Sequence, residues 1–350
     1  MALSLTGCGG GEPEWAAGAS PAPDPTSVAQ QWFVARAAAQ RQGTENLVSF
    51  YDPDVVLDHR AIGPAIVEGR EEALRLLERR WARDSLVRVA DGVPFLSLEG
   101  AVTLEHLGVT HGRTTQIVFR TGFGPEGATS EVMGRSELGW RAQDPGDQRL
   151  IAVHTLASDY VAAWSDADRE ALSGLYARDA SVEDGLLGTR AVGRDITTLA
   201  ARPAASGGLA GMSLVELPEF GGPAVFATGS TMNNDPMDGI ALVLTTPDGA
   251  ACPQQVVVWL QLDPAGRIGS EARYHRLADL AACQPELDAP TGWWETLTIP
   301  EPISVALTGA LDAGGTPVEV YNGSPELDAL LEWGSGGWRP QGSPYRPSDG

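Results

Sequence analysis

The sequence contains no lysine. All 24 of its basic side chains are arginine, set against 46 acidic ones, for a formal net charge of −22. The lysine-free, Ala/Gly/Arg-rich composition is first a coding bias. The excess of acid has a physical consequence: with no basic stripe to offset it, a phosphate backbone is repelled, so nucleic acid is excluded as a partner. The same charge suits solubility in a crowded or salty exterior. Long apolar runs are also missing, and none reaches the roughly 20 residues needed to span a bilayer. Cysteine is scarce, with Cys8, Cys252 and Cys283 alone in 350 residues. Clustered cysteines and a His-x-x-x-His pair are absent, and His106 and His111 fall on opposite faces of a regular strand, so no metal site is expected. Phosphate loops, dinucleotide fingerprints and nucleophile elbows are absent as well, and no cofactor is expected. What is present is 43% hydrophobic residues, enough for two domains, each with its own core.

At the N-terminus, Leu5-Thr6-Gly7-Cys8 resembles a bacterial lipobox. The resemblance implies cleavage before Cys8 and diacylglycerol on its sulfur, with Met1-Ala2-Leu3-Ser4 as the end of an apolar signal segment. Residues 9–27 are rich in Gly, Pro, Ala and Ser, the composition of a flexible tether. The plainer alternative is a chance tetrapeptide before an ordinary tail. The lipobox reading makes the protein exported and held at the outer face of the cell membrane.

The strongest pattern is internal. Tyr51 and Tyr176, Asp54 and Asp179, Asp58 and Glu183, and Gly63 and Gly188 all share one separation, 125 positions (176 − 51). A Gly-Arg-acid step follows at Gly69-Arg70-Glu71 and Gly193-Arg194-Asp195. Each unit predicts a first helix with apolar residues at helical spacing: Val28, Trp32 and Ala35 in one, Leu156, Tyr160 and Ala163 in the other. A short helix ending at the Tyr follows, then a strand holding the acid, then a helix opened by Gly-Arg-acid, where the carboxylate opposes the helix dipole. Strands come after: 87–89, 101–109, 115–123, 130–140 and 149–153 in the first unit, and 212–217, 224–231, 239–246, 254–262 and 268–274 in the second. Helices first and antiparallel strands after make an α+β pattern.

This order resembles the SnoaL-like branch of the nuclear transport factor 2 superfamily. The resemblance implies two tandem cone-shaped domains, helices packed on a strongly bent antiparallel sheet. The expected division is a tether at 1–26, domains at 27–153 and 154–284, and a C-terminal extension at 285–350.

Members of that branch use a carboxylate, sometimes with His, for proton transfer inside the cone. The positions that match are Asp58 and Glu183, followed by His59 and Asp184; neighbours on a strand face opposite ways, so only one of each pair enters the cone. His106, in the alternation Val102-Leu104-His106, is the candidate catalytic partner of Asp58. Further pocket candidates are Arg120, His154 at the end of the last strand of the first unit, and Tyr274 at the end of the second. Each has a plainer reading as an interior or rim residue. The alternation of Arg135 with Glu131, Met133 and Glu137 reads as a solvated face.

Cys252 precedes strand 254–262 and Cys283 follows strand 268–274, so a hairpin about 264–266 would bring the two into disulfide range. In the extension, Trp293-Trp294 forms an aromatic loop, a hairpin is expected at 303–311 and 317–321, a helix starts at Ser324-Pro325, and the tail beyond 334 is Gly/Pro/Ser-rich. Trp293, Trp294 and Trp333 cover apolar surface or form a partner-binding patch. Two functions remain open. One is a lipid-anchored binding or accessory protein, a monomer with internally paired domains whose cones take a small apolar ligand or whose pair docks a cell-envelope partner. The other is an isomerase- or cyclase-like enzyme using Asp58 with a His.

Overall fold

The computed structural model describes residues 24–61, 66–83, 88–90, 94–109, 113–136, 148–203, 206–217, 222–229, 237–284 and 291–299. The lipobox with Cys8, most of the tether, His111, and the hairpin, helix and tail expected beyond 300, Trp333 included, lie outside them.

Helix α1 (Pro25–Gln42) opens on Asp24, whose carboxylate accepts from the amides of Thr26 and Ser27 at 3.3 and 3.2 Å, and Pro25 takes the first turn where no N–H is needed. A 3-10 turn (Thr44–Phe50) leads to β1 (Tyr51–Asp58) and the edge strand β2 (Ile66–Glu68). Helix α2 (Arg70–Arg83) carries Glu71 and Glu72 in its first turn. Strands β3 (Arg88–Ala90), β4 (Phe95–Leu96), β5 (Gly100–Val109), β6 (Arg113–Gly124) and β7 (Gly127–Ser136) complete the first half. The second half follows with α3 (Gln148–Ser165), α4 (Arg169–Leu175), β8 (Tyr176–Asp184), β9 (Thr189–Val192) and α5 (Ile196–Leu199). Short strands β10 (Ser213–Leu214), β11 (Glu216–Leu217) and β12 (Gly222–Pro223) precede β13 (Val225–Thr228), β14 (Gly239–Thr245), β15 (Gln255–Leu262) and β16 (Ile268–His275). Helix α6 (Leu277–Cys283) and a 3-10 turn (Trp293–Glu295) close the described chain.

In each half the first strand runs parallel to the last long one. Leu57 of β1 lies opposite Glu131 of β7, and Val182 of β8 opposite Glu271 of β16. The two halves do not stay separate. Strand β13 pairs with the far end of β7, and His275 of β16 pairs with Leu96 of β4. These two junctions close eight strands into a ring, β4-β5-β6-β7 from the first half and β13-β14-β15-β16 from the second. One core belongs to each half, and a third is shared: Phe95, Val102, Leu104 and Val118 pack with Phe226, Val243, Val257, Trp259 and Tyr274 inside the ring. This explains the unbroken apolar runs of β14 and β15. Ile240, Leu242, Leu244, Val256, Val258 and Leu260 face the second half's own core, while Ala241, Val243, Val257 and Trp259 face the ring interior. Strands covered on both faces lose the polar/apolar alternation.

One expected element is corrected. Residues 149–153 are not a strand. They begin α3, because Val153, Ala157, Tyr160 and Trp164 recur at helical spacing and all pack into the second half's core. His154 is therefore a helix residue, half-buried, not the end of a strand.

Cys252 and Cys283 are bonded, with their Cα atoms 5.1 Å apart. A crosslink over a separation of 31 residues contributes about 3–4 kcal/mol in the chain-entropy model. Beyond it the chain returns to the first half. Trp293 stacks on Phe123 with centroids 4.1 Å apart and donates its indole N–H to the Ser97 carbonyl at 3.2 Å. Trp294 is buried in the same core.

Candidate functional site

Strand alternation decides which side chains reach the faces under the helices. On β16, Glu271, Arg273 and His275 share one face and Tyr274 the other. From the opposite wall come Tyr160 and Trp164 of α3, with Tyr176 and Asp184 of β8. The Tyr176 hydroxyl donates to Glu271 Oε2 and accepts from the Trp164 indole at 3.1 Å. Arg273 is held on three sides: Nε donates to Glu271 Oε1 at 2.6 Å, Nη1 donates to the Gly207 carbonyl, and the guanidinium lies 4.6 Å from the centre of the Trp164 ring. His275 Nε2 meets Asp184 Oδ2 at 2.8 Å, and the Leu187 amide donates to Asp184 Oδ1.

The first half presents a related cluster at its β1–β7 pair. Glu131, fully buried, is bound by Arg36 Nη2 of α1 and by His59 Nε2, each at 2.6 Å. Arg36 Nε also donates to the Tyr51 hydroxyl at 2.8 Å. Both halves thus bury one Glu with an Arg and a Tyr, but the Arg arrives from opposite walls: from the helix in the first half, where Trp164 stands in the second, and from the strand in the second half.

Burial sets the ionisation of this interior. It pushes the Tyr160 and Tyr176 hydroxyls well above the ordinary phenol range, and the Glu271 charge adds to it, so both stay protonated donors. The Tyr160 hydroxyl makes no hydrogen bond of good geometry, although Glu271 and Tyr176 are close enough to act on its ionisation. For Asp184, burial alone would raise the carboxyl. The charge and hydrogen bond of His275, then the charge of Arg273 and the Leu187 amide, outweigh it and hold the group below its ordinary value. A carboxylate depressed on folding stabilises the fold fully above its unfolded pKa, near 4, and that contribution drains away as pH falls through the folded value. Asp184→Asn is therefore expected to flatten the dependence of the urea midpoint on pH below about 4. Parallel curves for parent and variant down to about pH 2.5 would show that the pair does not form.

The residues singled out in the sequence scatter. Asp58 sits at the rim, paired with Arg60 Nη2 at 2.7 Å, and Arg60 also reaches Asp238 of the second half. Glu183 is exposed. Their neighbours His59 and Asp184 are the members of each pair that turn inward. Arg120 lies 5.5 Å from the Trp259 ring, and Tyr274 belongs to the ring core, so both face away from the helices. His106 is described in its backbone, where it pairs with Val89 and Gln116. The structure does not bring Asp58 to a buried His. The buried acids are Glu131 and Glu271, which the sequence reading passed over. The signal was there as Glu-x-Arg-x-His over 271–275 on a strand parallel to the acid-bearing one.

Among the described residues no group of three or more His, Cys, Asp or Glu side chains is placed to hold a metal ion. No described helix is long and apolar enough to cross a membrane.

No protein-family model and no curated protein matches the sequence. Solved structures do. An NTF-2-like protein from Burkholderia xenovorans is similar to 43% of this chain over 97% of its own length, at 14% identity and a TM-score of 0.26. A protein of ketosteroid isomerase-like fold from Catenulispora acidiphila, in complex with trimethylamine, is similar to 37% of the chain over 92% of its own, at 21% identity and 0.25. A SnoaL-like family protein from Agrobacterium tumefaciens is similar to 36% over 97%, at 18% identity and 0.25.

Proposed function

We propose that the protein is an exported binding or accessory lipoprotein. In this reading two SnoaL-like modules are fused head to tail, the chain is a monomer, and a small, largely apolar ligand is held under the helices of a module rather than transformed there. The observation that carries the reading is the state of the buried carboxylates. Glu131 is bound by Arg36 and His59, and Glu271 by Tyr176 and Arg273. A carboxylate held by two strong donors is stabilised as the anion and is a poor proton acceptor. Asp58, the acid a catalytic reading requires, is committed to Arg60 at the rim. Export is supported by the Cys252–Cys283 bond, which persists in an oxidising compartment.

The test uses the full chain expressed behind a complete export signal. Native mass spectrometry is expected to find a co-purifying small molecule that leaves on denaturation, and Cys8→Ser is expected to move the protein from the membrane to the soluble fraction. A chain that carries no such molecule, and whose melting point no member of a small-molecule library raises, is not a binding protein of this kind. Unchanged fractionation of the Cys8 variant removes the lipid anchor.

A further inference from the structure

We infer that ligand binding belongs to the second half, where Tyr160 and Arg273 form a receptor for an uncharged molecule bearing a hydrogen-bond acceptor oxygen, while the equivalent face of the first half is occupied by the chain's own segment 291–299. This rests on the binding reading above and gives it a place and a ligand class.

The first observation is a set of incomplete donors. Tyr160 OH, Arg273 Nη2 and His275 Nδ1 are buried and have no hydrogen-bond partner among the described residues. An unmet buried donor costs about 1–3 kcal/mol, and three in one interior point to a group that completes them. Arg273 cannot swing away to relieve the deficit. Its Nε and Nη1 are already bound, and its plane is held against Trp164. The free Nη2 and the Tyr160 hydroxyl therefore stay available as fixed donors.

The second observation is charge. The Arg273 cation is matched by Glu271, and Asp184 lies within its field as a second anion. A carboxylate or phosphate brought to Nη2 would be a third anion beside one fixed cation, and desolvated anions close together repel strongly. An ammonium would meet Arg273 directly. A neutral carbonyl or amide oxygen meets both donors without adding charge. The rest of that core is apolar, with Trp164, Leu199, Leu209 and Met212, which suits an apolar body behind the oxygen.

The third observation is the contrast with the first half. There Arg36 is shared between Glu131 and Tyr51. Trp293 and Trp294, packed in one core with Trp32 and Phe123, occupy the space beside α1. The Trp32 indole N–H is also unmet there, but it stands among Phe33, Phe50 and Phe123 with no second polar group to share a ligand.

The experiment titrates three probes of one shape into the intact, oxidised chain: N,N-dimethylbenzamide, benzoate and benzylamine. Amide-nitrogen NMR spectra are expected to show the neutral amide perturbing Gly207 and its neighbours. Tyr160→Phe is expected to weaken it at least tenfold, while Tyr51→Phe leaves it unchanged. Preference for benzoate or benzylamine overturns the ligand class even if the binding reading stands. Shifts centred on Ser97 and Ala128, in wild-type protein where no variant must fold, overturn the assignment to the second half. Failure of all three probes overturns the inference, whereas the binding reading then stands or falls on the co-purified molecule alone.

Discussion

Replacing Arg273 by Met is expected to destabilise the chain by about 3–5 kcal/mol, read from urea unfolding followed by tryptophan fluorescence. Volume is roughly kept, so the loss is electrostatic. Glu271 would remain in the interior with the Tyr176 hydroxyl but without the cation that balances it. Removing one partner of a buried pair leaves the desolvation of the other uncompensated, which is why the single change costs so much more than the pair contributes. The companion double variant, Glu271→Leu with Arg273→Met, separates the two quantities. It is expected to recover most of the loss, because an apolar pair of similar size suits the surrounding Tyr160, Trp164 and Leu209. If Arg273→Met costs under about 1 kcal/mol, as an exposed ion pair would, the second half is wet where it is described as buried.

Trp293→Ala should cost a similar amount, about 3–5 kcal/mol for an aromatic lost from a core. It unstacks Phe123 and leaves the Ser97 carbonyl without its donor. The effect should be read in the first half, by fluorine NMR of a label near α1, since the lost contacts lie with Trp32 and Phe123 although the residue comes from beyond the second half. A loosely attached aromatic loop, the partner-patch alternative, would change stability by no more than about 0.5 kcal/mol, as ordinary surface substitutions do. That outcome would return Trp293 and Trp294 to the surface.

The elements were legible because their signals are local. The 125-residue spacing carried by Tyr51 and Tyr176 marks the start of β1 and of β8, and most strand limits fall within a few residues of those expected from alternation and turns. The rule that strand neighbours face opposite ways left one of each acid-bearing pair for the interior, but nothing local says which, and the structure turns in His59 and Asp184. The face bearing Glu131 and Arg135 read as solvated for the same reason: a polar alternation looks alike whether water or an opposing Arg36 satisfies it. Leu150-Ile151-Ala152-Val153 has strand-like composition, and only its continuation to Ala157, Tyr160 and Trp164 reveals a helix. The closure of the sheets into one ring was not legible. It depends on β7 meeting β13 and β4 meeting β16, contacts between segments roughly 90 and 180 positions apart that leave no periodic trace.

That ring has a consequence for how the chain is made. Synthesis delivers β4 to β7 first, with Val102, Leu104 and Val118 bare on one side and the last residues of β7 unpaired at an edge. Neither is covered until β13 to β16 have emerged, and the second seam waits for His275. A nascent polypeptide in that state carries the sticky surface and open strand on which aggregation begins. Truncations that stop short of residue 275 should therefore yield insoluble product rather than a smaller stable fragment, and the exporting cell must keep the whole length extended until it can close in a single event.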